Sequence, residues 1–259
     1  MAQPTNHLAA LLDQASFSAK AIPQISLRQK ISLTDAYAIQ KVSLGKRYER
    51  GERPTGFKLG FTSKAKMEQM GVHEIIWGRL TDRMDVKPSG VLRKGAFIHP
   101  RVEPEIAFLI SDRIDRLITL EEAPDFLAGV AGALEVIDSR YENFKFSLED
   151  VIADNCSSAA YVIGDWMAPD TPIEAQEITL QINGEVVQRG NSNAILGNPL
   201  ASLVEIARIL HENGEVIEAG AVILAGAATS AVYLKSGDKV EGLFEGLGPV
   251  QLTVSGTDD

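Results

Sequence analysis

The 259-residue sequence holds one cysteine, Cys156. That excludes an internal disulfide and fits a reducing cytosol. With no matched histidine nearby in sequence, Cys156 reads as a small core residue rather than a nucleophile. Long apolar runs are also missing. The longest, Ala219 to Ala228, falls well short of the roughly 20 residues a membrane-spanning helix needs, so no membrane partner is expected. Basic charge is scarce: 25 Lys and Arg stand against 35 Asp and Glu, for a net charge of −10. The acidic residues are spread along the chain and no basic patch appears, which argues against nucleic acid as a partner. The opening Met1-Ala2-Gln3-Pro4-Thr5-Asn6 has no charged-then-apolar leader, so a cytoplasmic location is expected. There is no internal repeat and no low-complexity segment. Gly56-Phe57-Lys58-Leu59-Gly60 lacks the Gly-Lys-Ser/Thr end of a phosphate loop. His7, His73, His99 and His211 are scattered and read as structural or surface residues, His99 being the nearest to a carboxylate of interest.

The apolar spacing divides the chain unevenly. Residues 5–53 read as two helices, the first capped by Asn6 and carrying Leu8, Leu11, Leu12 and Ala15. Ser32 or Thr34 caps the second, with Tyr37, Leu44 and Tyr48 along one face. Gly51 and Pro54 stop it. A short helix is expected from Ser63 to Met70, closed by Gly71. Beyond residue 84 strands dominate: 101–110, 131–138, 159–164, 177–182, 185–189, 221–225, 238–244 and 249–254. Asn183-Gly184 signals a two-residue hairpin. One helix interrupts, with Asn198 as cap, Pro199 at its start, a stripe of Leu200, Leu203, Val204, Ala207 and Leu210, and Asn213-Gly214 at its end. The expected class is α+β. Residues 1–83 form a mostly helical N-terminal part carrying a lysine loop, and 84–259 a β-rich domain. Many strands with few helices between them argue against a doubly wound parallel sheet.

Three glutamates stand out against this background: Glu103 and Glu105 in Pro100-Arg101-Val102-Glu103-Pro104-Glu105-Ile106-Ala107, and Glu135 in Ala133-Leu134-Glu135-Val136-Ile137-Asp138. Each lies inside an apolar run that reads as a strand. A buried carboxylate is costly unless something pairs with it. Side chains alternate along a strand, so Glu103 and Glu105 share a face. A third carboxylate from a neighbouring strand would complete an oxygen-rich pocket suited to Mg²⁺ or Mn²⁺ rather than zinc. Spacing alone equally accommodates two surface carboxylates plus one ion-paired glutamate. Lys58, between apolar neighbours, is either a snorkelling surface residue or a buried cation near an anionic substrate.

Four segments occur in order: Gly56-Phe57-Lys58-Leu59-Gly60-Phe61-Thr62-Ser63-Lys64, Pro100 to Ala107, Glu135-Val136-Ile137-Asp138-Ser139-Arg140, and Ala153-Asp154-Asn155-Cys156-Ser157-Ser158. Together they resemble the hydratase/decarboxylase branch of the fumarylacetoacetate hydrolase superfamily, bacterial enzymes of the meta-cleavage route for aromatic compounds. The resemblance runs from about Leu33 to Val254. It implies a β-rich mixed fold, a divalent metal on Glu103, Glu105 and Glu135, and a catalytic lysine at Lys58. It also implies self-association, with a related hydratase as a candidate partner. Asp154, Asn155 and Ser157 fall where the family lines its pocket, although these residue types also favour simple turns. Thr229, in a small-residue loop, is a candidate donor to a substrate carboxylate. Arg140 either meets a second carboxylate bidentately or pairs with a local acid such as Asp138.

The branch contains two chemistries. Hydratases resemble one another in a Pro-Asp-Phe/Tyr-Gly segment, whereas decarboxylases look like Pro-Ile-Tyr-Gly there. This chain reads Glu74-Ile75-Ile76-Trp77-Gly78, so Ile76 stands in place of the hydratase aspartate, and the proline is absent. Asp138 to Phe146 and Gly226 to Val232 also look like the decarboxylases. The resemblance therefore implies loss of CO₂ from a small 2-oxo dicarboxylic acid, 2-oxo-3-hexenedioate, with Ile76 giving the departing carboxylate a dry surrounding. The alternative is the hydratase, which adds water to a dienol acid. A non-catalytic relative would have no need for four costly buried charges, and acylpyruvate hydrolysis would want a histidine-positioned water that these motifs do not supply.

Overall fold

Apolar residues at helical spacing open the chain as two helices, α1 (Ala2–Ser18) and α2 (Leu33–Glu49). The computed structural model describes residues 2–62 and 75–256, with side chains from residue 5 onward; the helix expected over 63–70 lies outside the described residues. Helix α1 starts at Ala2, so Asn6 is not its cap. It buries Leu8, Ala9, Leu12 and Ala15 while Leu11 stays exposed, because the face toward α2 is narrower than the apolar stripe. Ser32 caps α2 through a capping box: its hydroxyl accepts from the Asp35 N–H at 3.1 Å, and the Asp35 carboxylate accepts from the Ser32 N–H at 3.1 Å. A shorter helix, α3 (Leu148–Ala153), repeats the device with Ser147 and Asp150. The last, α4 (Leu200–Glu212), has the Asn198 carboxamide accepting from the Leu200 N–H at 2.9 Å. Among its apolar residues Ile206 is fully buried and Val204 only partly. Among the described residues no helix is long and apolar enough to cross a membrane.

Two sheets form the rest. The larger joins β2 (Ile76–Thr81), β1 (Pro54–Gly60), β9 (Val222–Ala227), β4 (Arg101–Ile110), β5 (Leu127–Ile137) and β6 (Ser158–Ile163) in that order, with the short β10 (Val232–Tyr233) also on β4. The smaller joins β3 (Gly90–Arg93), β12 (Gly248–Ser255), β11 (Lys239–Phe244), β7 (Glu177–Ile182) and β8 (Glu185–Asn191). Only β1–β9 and β3–β12 are parallel among these pairs. The Asn183-Gly184 turn joins β7 to β8 with both residues at positive φ, 55° and 83°, the conformation a two-residue hairpin demands.

The even-numbered residues of β4 (Val102, Ile106, Phe108, Ile110) face the smaller sheet. With Leu134, Val136, Val240, Phe244, Val250 and Leu252 they form the main core, which α4 closes with Leu203, Ile206 and Leu210. A second core joins α1, α2 and α3 to Ile76, Tyr141 and Cys156. Sequence reading placed Lys58 on a loop of the N-terminal part. It lies instead on β1, inside the larger sheet, between β2 and β9. Both β1 and β2 were missed as strands. Gly56 explains part of the miss: a Cβ there would come within 1.8 Å of the Val222 carbonyl oxygen, so a residue that looks like a breaker is what lets β1 and β9 approach.

Buried polar bonds tie the helices to the sheet. Gln40 of α2 donates to the Trp77 and Ile152 carbonyls at 3.1 and 3.0 Å. Asp150 is fully buried and accepts from the Ser26 N–H at 3.0 Å and the Ser26 hydroxyl at 2.6 Å, besides closing the α3 capping box. Replacing Asp150 with Ala orphans these donors. The expected cost is about 2 kcal/mol or more, a fall in Tm of several degrees at roughly 2–4 °C per kcal/mol, read by thermal denaturation. An unchanged Tm would show that this link does not hold the helices in place.

Candidate metal centre and active site

Strand alternation places Arg101, Glu103, Glu105 and Ala107 on one face of β4, opposite the face that packs into the main core. Glu103 pairs directly with Glu135 across the β4–β5 ladder. All three glutamates are buried, and one carboxylate oxygen from each lies within 4.8 Å of the others. Lys58 reaches the same point, its Nζ 2.9 Å from Glu135 Oε2, and it is only 3% exposed. The sequence-based grouping of Lys58, Glu103, Glu105 and Glu135 thus becomes a single cluster.

A bulge aims one more group at it. The register between β4 and β9 slips between Glu105 and Ala107, and Gly226 in the slipped stretch adopts φ +109°. Its N–H donates to Glu105 Oε2 at 2.8 Å. A Cβ on Gly226 would lie 2.1 Å from Thr62 Oγ1, so glycine is required both for the conformation and for the close approach. Sequence reading quoted Gly226 within a motif but missed this role, since a bulge has no signature beyond a glycine in a strand.

The electrostatics are those of a crowded, buried carboxylate cluster. Burial, then the charge of Glu135, holds the Glu105 carboxyl well above the usual range, with Lys58 opposing. Burial raises Glu135 as well, against the pull of Lys58. Burial alone would lower the Lys58 ammonium, but Glu135, Glu105 and Glu103 outweigh it and hold Lys58 above its ordinary value. Two buried carboxylates, Glu105 and Glu135, crowd one ammonium with Glu103 close by, and a divalent cation would relieve that crowding. Glu105 Oε1 and Glu135 Oε1 are buried with no hydrogen-bond donor, and Glu135 Oε2 meets the Lys58 ammonium. Buried acceptors in that state need an explanation, and hard oxygen donors at this separation fit Mg²⁺ or Mn²⁺.

The remaining expected site residues divide. Ile76 is buried and shares the Lys58 face, since Gly60, two residues beyond Lys58, pairs with it; it packs among the apolar residues of the second core. Arg140 was expected to meet a substrate carboxylate or a local acid such as Asp138. Its guanidinium pairs with a local acid, Asp154 rather than Asp138, and also donates to the Asp154 and Ser158 carbonyls. Asp138 instead accepts from the N–H groups of Ile98 and His99 at 2.9 and 2.7 Å. Burial pushes Asp154 up to about 6, with Arg140 pulling the other way. Asn155 spends its carboxamide on the Arg79 main chain, accepting at 2.8 Å and donating at 2.9 Å. Arg140, Asp154 and Asn155 are therefore committed to the framework, because buried charge and amide groups this close satisfy one another first. Asn155, Cys156 and Ser157 all take positive φ, from 51° to 58°. This is a costly run for residues other than glycine, and these bonds hold it in place. Within it the Ser157 hydroxyl is buried without a partner. Cys156 donates to the Trp77 carbonyl at 3.0 Å, and burial pushes its thiol up to about 12, in keeping with a core role. Thr229 lies in the loop after β9. The Ala228 N–H pins that loop to the Pro104 carbonyl at 3.0 Å, between the two glutamates, while the Thr229 hydroxyl bonds the Ser230 carbonyl at 3.2 Å.

Residues 64–255 match the family model for the fumarylacetoacetate (FAA) hydrolase C-terminal domain. The chain belongs to the fumarylacetoacetate hydrolase family. It is 45% identical over 251 residues to a 4-oxalocrotonate decarboxylase of a Pseudomonas species, spanning 97% of this chain and 98% of that one. It is 33% identical to the 2-keto-4-pentenoate hydratase of Paraburkholderia xenovorans (strain LB400), over 96% and 94% of the two chains. Its fold superimposes on the 4-oxalocrotonate decarboxylase from Pseudomonas putida G7, complexed with magnesium and adipate, with a TM-score of 0.95, 34% identity and 98% coverage of both chains.

The charge imbalance sets a measurable expectation. Because the folded-state Glu105 value lies above the unfolded one, its stabilising contribution is present below the ordinary carboxylate range and is lost as pH rises through the folded value. Near neutrality Mg²⁺ should therefore raise Tm, by about 2.7 kcal/mol of stability at a hundred-fold excess over Kd. The increment should shrink as pH falls and protons compete for the carboxylates. Glu105→Gln should lose the increment without destabilising the metal-free protein. An undiminished Mg²⁺ increment in that variant would contradict this account of the cluster.

Proposed function

We propose that this chain removes CO₂ from 2-oxo-3-hexenedioate (4-oxalocrotonate), giving 2-hydroxypenta-2,4-dienoate. The buried cluster of Lys58 with Glu103, Glu105 and Glu135 carries the reading. It occurs in a chain 45%, 40% and 37% identical to three 4-oxalocrotonate decarboxylases, against 32–34% for hydratases. The substrate is a vinylogous β-keto acid. As the C5–C6 bond breaks, its electron pair forms the C4–C5 double bond. The C3–C4 π pair moves to C2–C3, and the C2 oxygen takes the negative charge. A proton on that oxygen completes the dienol.

Glu103, Glu105 and Glu135 would hold Mg²⁺ or Mn²⁺, which would supply Lewis-acid stabilisation of the charge developing on the 2-oxo group. Lys58 adds a second positive charge at the same oxygen, or the proton that quenches it. Being buried, its ammonium acts in a low-dielectric site where a fixed charge is most effective. The Gly226 N–H and the bulge behind it fix the Glu105 carboxylate, and the Glu103–Glu135 strand pairing fixes the other two. No water need be activated. In keeping with that, the position near Lys58 that a water-adding enzyme would equip with an acid or base is Ile76, an apolar residue in an apolar surrounding. A cytoplasmic location, self-association and a working partnership with a hydratase that consumes the dienol belong to the same reading. Sedimentation of the chain, alone and mixed with such a hydratase, tests the last two.

The deciding assay offers 2-oxo-3-hexenedioate and 2-hydroxypenta-2,4-dienoate separately, with Mg²⁺ and with chelator. The expected result is Mg²⁺-dependent CO₂ release from the first and little water addition to the second; the reverse would replace this reading with the hydratase. In the same assay Lys58→Ala should lower turnover by about two to four orders of magnitude. Near-normal turnover in a folded Lys58→Ala protein would remove Lys58 from the mechanism.

A further inference from the structure

One cation on the glutamate face is unused by the chemistry above. Arg101 lies two residues before Glu103 on β4 and so points to the same side of the sheet. Its two ladder neighbours are Ile137, two residues from Glu135 on β5, and Tyr233 of β10. The guanidinium carbon sits 3.9 Å from the centre of the Phe144 ring and 4.1 Å from that of Tyr233. The cation is thus clasped by two rings. Nη2 donates to the Tyr233 hydroxyl at 2.6 Å, which fixes its rotation. Nε is buried and has no partner. Among the described residues no carboxylate lies within ion-pairing reach of Arg101. His99 packs against the same Phe144 ring at 5.1 Å, and its Nε2 is likewise buried without a partner.

We infer that Arg101, clasped between Phe144 and Tyr233, is the subsite for the second carboxylate of a dicarboxylate substrate whose 2-oxo acid end lies at Glu103, Glu105 and Glu135. The inference rests on the proposed substrate class. One same-face step along a strand covers about 6.7 Å, comparable to the span of an extended six-carbon chain. A planar guanidinium held edge-on matches a carboxylate in two parallel hydrogen bonds, and the orphaned Nε–H gains the acceptor it lacks. This puts the leaving carboxylate at the Arg101 end of the site rather than beside Ile76, where the sequence alone had placed it.

The assignment has a kinetic signature. A guanidinium that holds the leaving carboxylate stabilises a charge that the reaction removes, so it favours the bound substrate over the transition state. The product has lost that carboxylate, loses the Arg101 contact, and is free to leave. Removing Arg101 should therefore raise KM without lowering kcat, a pattern that damage to the metal site or the fold would not give.

The test uses the Mg²⁺-loaded full chain and two non-reacting probes of equal length, adipate and hexanoate, by titration calorimetry. The unsubstituted protein should bind adipate roughly ten-fold or more tightly than hexanoate. Arg101→Met should bring the two affinities together by weakening adipate alone, and Arg101→Lys should keep part of the difference. The Mg²⁺-dependent rise in Tm should be unchanged in both variants, which shows that each is folded with its metal site intact. A preference for adipate that persists in Arg101→Met, or a kcat that falls while KM stays constant, overturns the assignment. Failure of the unsubstituted protein to bind adipate at all would count against the dicarboxylate substrate itself, and the Arg101 subsite would fall with it.

Discussion

Four charged side chains meet where the sheet is driest, and their unequal number governs the site. Lys58 and Glu135 form a contact ion pair at 2.9 Å with both side chains almost wholly buried. An isolated pair of this kind roughly breaks even against its desolvation. Here Glu103 and Glu105 bring two further carboxylates into the same small volume. The folded chain tolerates the excess by holding Glu105 toward its protonated form, and a divalent cation would relieve it. Stability and activity are thereby linked through the same oxygens.

Everything around the cluster serves to aim it. The antiparallel β4–β5 pairing sets Glu103 against Glu135, and the bulge at Gly226 turns an amide onto Glu105. The parallel β1–β9 pairing, made possible by Gly56, brings Lys58 to the glutamates from two strands away. Behind the wall, Arg140, Asp154 and Asn155 hold a run of left-handed residues that Cys156 and Ser157 could not sustain unaided. Among the described residues, Lys58 and Arg101 face the glutamate side of the sheet.

The glutamate cluster was legible in the sequence because period-two alternation is a strict rule: Glu103 and Glu105 in an apolar run have to share a face. The strands from β4 onward and the Asn183-Gly184 hairpin were legible for the same reason. Lys58 was found through resemblance of its surrounding motif, but its strand was not, since glycines at 56 and 60 mimic a loop and only the Val222 contact explains the first. Arg140, Asp154 and Asn155 could not be resolved from sequence, because a residue's place in a motif does not say whether its partner is a ligand or a neighbour; only the tertiary contacts do. Arg101 went unremarked although the alternation that found the glutamates also places it beside them. Its importance depends on Phe144 and Tyr233, which are distant in sequence. Asn6 and Leu11 were misjudged because tertiary packing, not local preference, decides where a helix starts and how much of its apolar stripe is covered.

The central claim is that the three buried glutamates are brought together to hold one divalent cation beside Lys58. Diffraction from crystals grown with Mn²⁺, with anomalous scattering used to locate the ion, tests it most directly. The account requires a single Mn²⁺ bonded to one oxygen from each of Glu103, Glu105 and Glu135 at about 2.1–2.2 Å, with Lys58 Nζ in the same pocket but not bonded to the ion. An ion bound elsewhere, or these three carboxylates empty at saturating Mn²⁺, would contradict it.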